Sequence, residues 1–202
     1  MSSMKETIKQ VAIDLFFRKG YFATSISEIA RGCDIRKASI YYHYCGKESL
    51  LLDIMQTTMQ DLLSSLQASL SDADDIEASM RAAIRTHVLF HLQYQKETFI
   101  ASSELRGLSA DNFREIVAQR DDYERIFQTL IGQGIDRGIF ALGDIKILSY
   151  AILTLCTAGA SWFRPEGRLS MEEIARIYEN FVINGLKAAQ WSCAGPQARA
   201  AC

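Results

Sequence analysis

Arg36, Lys37, Ser39, Tyr41, Tyr42 and His43 fall within eight consecutive residues. At helical spacing, Ile40 and Tyr44 lie one turn apart and anchor the segment inward, beside Ile29 and Ile35. The opposite face then shows Lys37, Ser39, Tyr41, Tyr42 and His43. A cation, a hydroxyl, two phenols and an imidazole on one face suit phosphate oxygens and base edges. Lys47 follows at the start of the next helical pattern, where the helix N-terminus also favours an anion. The same pattern fits an amphipathic helix with a solvated polar face, but two adjacent exposed tyrosines are costly on a surface without a partner.

A second group of residues suits a small ligand. His87, His91, Tyr94, Tyr123, Phe127 and Tyr150 place polar and aromatic side chains in apolar stripes, the mixture a pocket needs. Aromatics at this spacing also simply fill a core. Trp162, Arg164 and Arg168 put a large flat ring beside two guanidinium groups, which suits a phosphate-bearing ligand with a planar part. Arg164 and Arg168, like Arg106, serve equally well as partners in surface ion pairs.

Enzymatic chemistry finds little support. His87 and His91 are four apart, as a metal pair on a helix would be, but the segment lacks the glutamate of HExxH and a third ligand. Gly132 to Gly138 is out of register with a dinucleotide loop, and no strand precedes it. There is no Gly-x-Ser-x-Gly and no P-loop. No catalytic residue, metal or cofactor is expected.

The elements that must position these groups read as helices almost throughout. Ile8, Val11, Ala12, Leu15 and Phe16 form one stripe, closed by Gly20 after Arg18 and Lys19. Ser25 and Glu28 have capping-box spacing ahead of a short second helix from Ile26. A four-residue break, Gly32 to Ile35, precedes the Arg36–Tyr44 helix, and a turn of this length between short helices is what a helix-turn-helix needs. Gly46 opens a long helix to about Leu70. Further patterns run from about Ile76 to Tyr94, Glu97 to Leu105, Ala110 to Arg137, Ile145 to Phe163 and Met171 to Gln190. The last carries a second capping box, Ser170 with Glu173. The expectation is an all-α fold of about nine helices. Residues 1–48 would form the helix-turn-helix domain, 49–190 a ligand-binding and dimerisation domain, and 191–202 a disordered tail.

The last two helices are the most apolar. Ile145, Leu148, Ile152, Leu155 and Gly159 form one seam; Ile174, Ile177, Tyr178, Phe181, Val182 and Gly185 form another. Two such helices pack against their symmetry mates as a four-helix bundle, or else line an internal core.

Charge is unevenly spread. The chain has 202 residues and a net charge of −2, yet residues 1–50 hold 8 basic and 5 acidic side chains against 14 and 19 in the remainder. A basic head on an acidic body fits a DNA-contacting module. Hydrophobic residues at 49 % exclude a disordered chain, and 2 prolines argue against an all-β fold. No unbroken apolar run approaches the length of a membrane span and no signal peptide is evident, so no membrane partner is expected. The 5 scattered cysteines suit a reducing cytoplasm.

The stretch from Gly20 to Ala30, followed by Lys37-Ala38-Ser39-Ile40-Tyr41-Tyr42-His43-Tyr44 and Lys47-Glu48-Ser49-Leu50, resembles the DNA-binding domain of TetR-family repressors. The resemblance implies an all-helical homodimer that binds a palindromic operator and releases it when a small ligand binds. Carried over by position, Thr24 or Ser25, Tyr42, His43 and Lys47 look like phosphate contacts, and Arg36, Lys37, Ser39 and Tyr41 look like groove-facing residues. Two positions depart from the family pattern. Asp34 stands where glycine is usual, and aspartate tolerates a left-handed turn better than most residues. Arg36 stands where a serine or threonine usually caps the recognition helix, so a cap is lost and a cation gained.

The C-terminal half is similar to the acyl-CoA-responsive TetR subgroup that regulates fatty-acid, steroid-ring and aromatic-acid catabolism. The residues that carry this are Glu104-Leu105-Arg106-Gly107-Leu108, Asp121-Asp122-Tyr123-Glu124, Trp162 to Ser170 and Ile183-Asn184-Gly185-Leu186. The effector is then an acyl-CoA thioester or a CoA-free hydrophobic or aromatic molecule. A helical enzyme or carrier that no longer binds DNA is the competing class.

Overall fold

A computed structural model describes residues 3–71, 73 and 75–187. Among these residues are nine α-helices, one 3-10 turn and no strand. The helices are α1 (Met4–Lys19), α2 (Ile26–Gly32), α3 (Lys37–His43), α4 (Lys47–Ser71), α5 (Ile76–Gln93), α6 (Gln95–Ser103), α7 (Ala110–Asp136), α8 (Ile145–Trp162) and α9 (Met171–Lys187), with the 3-10 turn at Leu105–Gly107. The all-α expectation holds. The tail at 191–202 and the end of the last expected helix lie outside the described residues.

Local chemistry sets most helix ends. Ser3 accepts from Glu6 N at 3.2 Å to start α1, and Gly20 closes it with φ 83°. Ser25 and Glu28 form the expected reciprocal capping box on α2. Asp144 caps α8 through Ile147 N at 3.0 Å, and Ser170 pairs with Glu173 ahead of α9. The glycines of the 132–138 segment have helical and packing roles. Gly134 lies in α7 under the Phe140 ring, so close that a Cβ there would stand 2.0 Å from ring carbon Cδ2.

The chain divides into two compact units, and the division does not fall after residue 48. The described residues of the first unit are 3–64, Phe90–Asp121 and Ala160–Trp162. Its core joins Ile8, Ala12 and Phe16 of α1 to Ile29, Ile40, Leu50, Leu51, Ile54 and Met55, and also to Ile100 of α6 and Ile116 of α7. Polar contacts reinforce this union. Lys96 pairs with Asp14 at 2.6 Å, the Phe17 and Phe99 rings meet edge-on at 5.3 Å, and Glu48 accepts from Ser109 N and Asn112. Gly107 lies flat beneath the Tyr21 ring, where a Cβ would come within 2.7 Å of two ring carbons. The three short N-terminal helices cannot bury their own apolar faces, so α6 and the start of α7 complete their core.

The second unit is built from the described residues of 65–89, 122–159 and 163–187. Its buried residues include Met80, Ile84, Val88, Phe127, Ile131, Phe140, Ile152, Ile174, Ile183 and Leu186. Arg81 bridges Glu77 at 2.9 Å and Glu179 at 3.0 Å, and Lys187 pairs with Glu77.

The apolar seams of α8 and α9 divide between an inner and an outer face. Ile152, Gly159, Ile174 and Val182 are buried, whereas Ile145, Leu155, Ile177 and Phe181 are exposed, and Ile147 and Tyr150 extend the outer face. Phe181 is 67 % exposed and Ile147 62 %. Length and composition alone would let one helix cross a membrane, a test that the core helix of a soluble protein also passes. Among the described residues α8 qualifies, with mean hydropathy 1.3 over 18 residues, of which 22 % are buried. Lys146, Ser149 and Thr154 interrupt its apolar runs, which is why a search for an unbroken run passes over it.

Candidate nucleic-acid interface and effector-binding residues

The α2–α3 turn is tight. Asp34 N donates to Arg31 O at 3.2 Å, Ile35 N to Ala30 O at 3.0 Å, and Asp34 sits at φ 54°. Among described non-glycine residues only Asp34 has positive φ, as expected for an aspartate replacing glycine. Gly32 lets α2 approach α1, since a Cβ there would meet Val11 at 2.6 Å. Arg36 stands at the N-cap of α3 and makes no side-chain cap, also as expected.

Ile40 and Tyr44 anchor α3 inward, Tyr44 donating to Asp53 at 3.0 Å. Burial first, and the Asp53 carboxylate next, push the Tyr44 phenol up. On the other face Arg36, Lys37, Ser39 and Tyr41 are exposed, and Tyr42 is 87 % exposed. His43 is half-buried with its ring edge-on to Tyr42 at 5.1 Å. Lys37 Nζ lies 5.9 Å above the Tyr41 ring. Beside the turn an open groove of about 450 Å³ is lined by Ser27, Arg31, Asp34, Arg36 and Lys37 among others. Three cations face one carboxylate there. Sequence reasoning missed Arg31; its place in the last turn of α2, immediately before the break, is the signal that would have found it.

Two other candidates sit differently from expectation. Thr24 is buried, and its hydroxyl donates to Gly20 O at 2.9 Å, so its side chain braces the α1–α2 turn instead of facing outward. Lys47 reaches back across this turn. Its ammonium donates to Tyr21 O and Thr24 O, both at 2.8 Å, and stands 4.2 Å over the Tyr21 ring. Burial lowers its pKa, with Glu104 acting in the opposite sense. Lys47 is therefore a clamp on the turn with two of its three protons committed. The spacing of Lys47 from Tyr42 is legible in a sequence; the reach of its side chain to carbonyls 23 and 26 residues away is not.

Ser25 is exposed but committed to the capping box, where Glu28 also accepts from Lys19 at 2.5 Å. Lys19 first, then Ser25, hold the Glu28 carboxyl at about 2. A carboxyl depressed on folding stabilises the fold above its unfolded pKa, near 4.3, and loses that contribution as pH falls toward 2. Denaturation of the wild type and of Glu28→Gln at several pH values should therefore show a stability gap above pH 5 that closes on acidification. A gap independent of pH would show that the ionised carboxylate does not support the cap.

The ten effector candidates do not form one cluster within either unit. In the second unit His87, Tyr123 and Phe127 meet, with ring centroids 5.6–6.0 Å apart. His87 Nδ1 is 2.9 Å from the Tyr123 hydroxyl and Nε2 is 3.0 Å from Thr157 Oγ1. Both ring nitrogens are thus occupied, which removes His87 from a metal pair with His91. Burial drives the Tyr123 phenol up and the neighbouring Cys156 thiol to about 12, so neither ionises near neutrality. Tyr150 stands exposed on α8 with Lys146 Nζ 5.7 Å over its ring. Arg164 and Arg168 are exposed in the loop before α9. His91, Tyr94, Arg106 and Trp162 belong to the first unit, where His91 is buried and the other three are exposed.

Comparison with known proteins agrees with this architecture. Residues 8–54 match the model of bacterial regulatory proteins of the tetR family, and residues 73–186 match the tetracyclin repressor-like C-terminal domain. The chain is 22 % identical over 187 residues to the HTH-type transcriptional repressor KstR2 of Rhodococcus jostii RHA1, covering 92 % of each protein. It superposes on a tetR-family regulatory protein from Rhodococcus RHA1 with TM-score 0.86 and 27 % identity, over 94 % of this chain and 100 % of that one. AibR, solved in complex with isovaleryl coenzyme A and operator DNA, gives TM-score 0.80 and 25 % identity over 92 % and 98 %. The two family models together account for both ends of the fold, and the chain belongs to the TetR family of bacterial regulatory proteins.

Proposed function

We propose that this protein is a transcriptional repressor that grips a palindromic operator as a homodimer and lets go when it takes up a small effector, an acyl-CoA thioester. The exposed face of α3 carries the DNA-binding reading: Lys37, Ser39, Tyr41 and Tyr42 stand in solvent on a helix fixed from behind by Ile40 and Tyr44. Arg36 and Arg31 add charge along the adjoining groove. Arg164 and Arg168, exposed on one loop, suit the phosphates of a CoA, and the likeness to AibR supports this effector class. The reading has no catalytic step and places the protein in the cytoplasm with its operator.

Release follows from a population shift. An effector that prefers one arrangement of the body changes the spacing of the two α3 helices and lowers operator affinity by its differential affinity for the two states. α4 is the element suited to carry this, because its first turn holds Lys47 on the α1–α2 turn and Glu48 on the start of α7.

Fluorescence anisotropy on labelled promoter DNA, with and without a panel of acyl-CoA thioesters, tests the reading. Tight, salt-sensitive binding released by one thioester is the expected result. Binding that no thioester disturbs would overturn the effector class, and independent binding of ligand and DNA would overturn the mechanism.

The dimer is assigned to the outer face of α8 and α9, where Ile147, Tyr150, Ile177 and Phe181 are exposed. Replacing Tyr150 and Phe181 with glutamate should halve the mass seen in sedimentation while the helical circular dichroism signal stays. An unchanged mass would move the dimer contact elsewhere.

A further inference from the structure

Within the first unit, α1, α4 and the corner between α5 and α6 line an open-sided pocket of about 180 Å³. That volume is of the order one aromatic ring occupies, and the pocket is open to solvent on its polar side. Its buried wall is mostly apolar: Ile13, Ile54 and Phe90 line it together with Thr58, whose hydroxyl is spent on Ile54 O. The Phe90 ring lies 4.7 Å from that of Tyr94, and together they give one side of the cavity an aromatic surface. The remaining lining has a definite sign. Glu6, Asp61 and Glu97 contribute three carboxylates against a single ammonium, that of Lys9. That ammonium is already shared, 3.3 Å from Glu6 and 3.8 Å from Asp53.

We propose that this cavity binds a small protonated amine with a ring-sized apolar body. The ring would lie against Phe90 and Ile54, and the ammonium would lie among the carboxylates beside the Tyr94 ring, a setting that favours a cation both by charge and by the ring quadrupole. The phosphates of a CoA thioester meet the wrong charge here, so the site is separate from the effector site of the repressor reading and its test needs no DNA. An occupant would touch α1 and α4 together, the first helix of the DNA-binding module and the helix that clamps its turn.

Calorimetric titration of the full chain with benzylamine, and with benzoate as a probe of the same size and opposite charge, tests the proposal. Benzylamine should bind saturably at one site and benzoate at least tenfold more weakly. The double variant Asp61→Asn, Glu97→Gln should weaken benzylamine at least tenfold while melting as the wild type does. The proposal is overturned by an absence of saturable heat from benzylamine, by equal binding of the two probes, or by a double variant that binds as the wild type does.

Discussion

Replacing Lys37 and Tyr42 together with alanine should weaken operator binding about a hundredfold and leave thermal stability nearly unchanged. Contacts of these types to phosphates or base edges are worth about 1–3 kcal/mol each, and a hundredfold loss corresponds to about 2.7 kcal/mol. The fold has little to lose. Tyr42 is almost fully solvated and Lys37 is exposed, and substitutions at such positions usually stay within about 0.5 kcal/mol. Alanine also suits a helix interior better than the residues it replaces. Anisotropy titrations at several salt concentrations separate the contributions, because loss of a phosphate contact lowers the salt slope by about one. An affinity within threefold of the wild type would remove α3 from the DNA interface.

Lys47→Met should have its largest effect on stability, a loss of about 2–4 kcal/mol. The methionine keeps the apolar stem but takes away both 2.8 Å bonds to Tyr21 O and Thr24 O. Hydrogen bonds from a charged donor contribute about 1.5–3 kcal/mol each, and two carbonyls in a tight turn are left without that donor. Part of the loss is offset, because burial disfavours the ammonium and the variant no longer bears that cost. Urea denaturation followed by circular dichroism measures the difference. A loss below about 1 kcal/mol, with operator binding still abolished, would return Lys47 to the role of a simple phosphate contact. This variant is therefore a poor probe of DNA contact alone, whereas the Lys37 and Tyr42 pair is a clean one.

The features legible in the sequence are those set by neighbours along the chain. Capping boxes at Ser25 and Ser170 need only a residue three places on, and the left-handed turn at Asp34 follows from the TetR resemblance, which puts aspartate where glycine is usual. The inward Ile40 and Tyr44 and the outward Tyr41 and Tyr42 follow from helical periodicity. The features that were not legible depend on distant partners. Thr24 is spent on Gly20 O, and Lys47 on the turn it clamps. His87, Tyr123 and Thr157 come from three helices to form one hydrogen-bonded core group, while Tyr94 and Trp162, read as their companions, belong to the other unit. The division of the chain depends on distant partners too, because nothing local to residue 48 reports that Ile100 and Ile116 complete the core of α1 to α3.

The contact between Tyr21 and Gly107 bears on how such regulators can be rebuilt. A chimera that borrows only residues 1–48 would carry Ile8, Phe16, Ile29 and Ile40 but leave behind Leu50, Leu51, Ile54, Met55, Ile100 and Ile116. At roughly 1.5–3 kcal/mol for each buried side chain, the missing six come to about 9–18 kcal/mol, as much as the whole stability of a typical small domain. The transplantable piece is discontinuous in the chain: the N-terminal helices travel with the α6 segment and with a flat residue at position 107, or the new host must supply an equivalent floor for the tyrosine. Inheritance should be subject to the same rule, so a change of operator preference is expected to spare the buried Tyr21–Gly107 seam and to accumulate on the solvent side of α3.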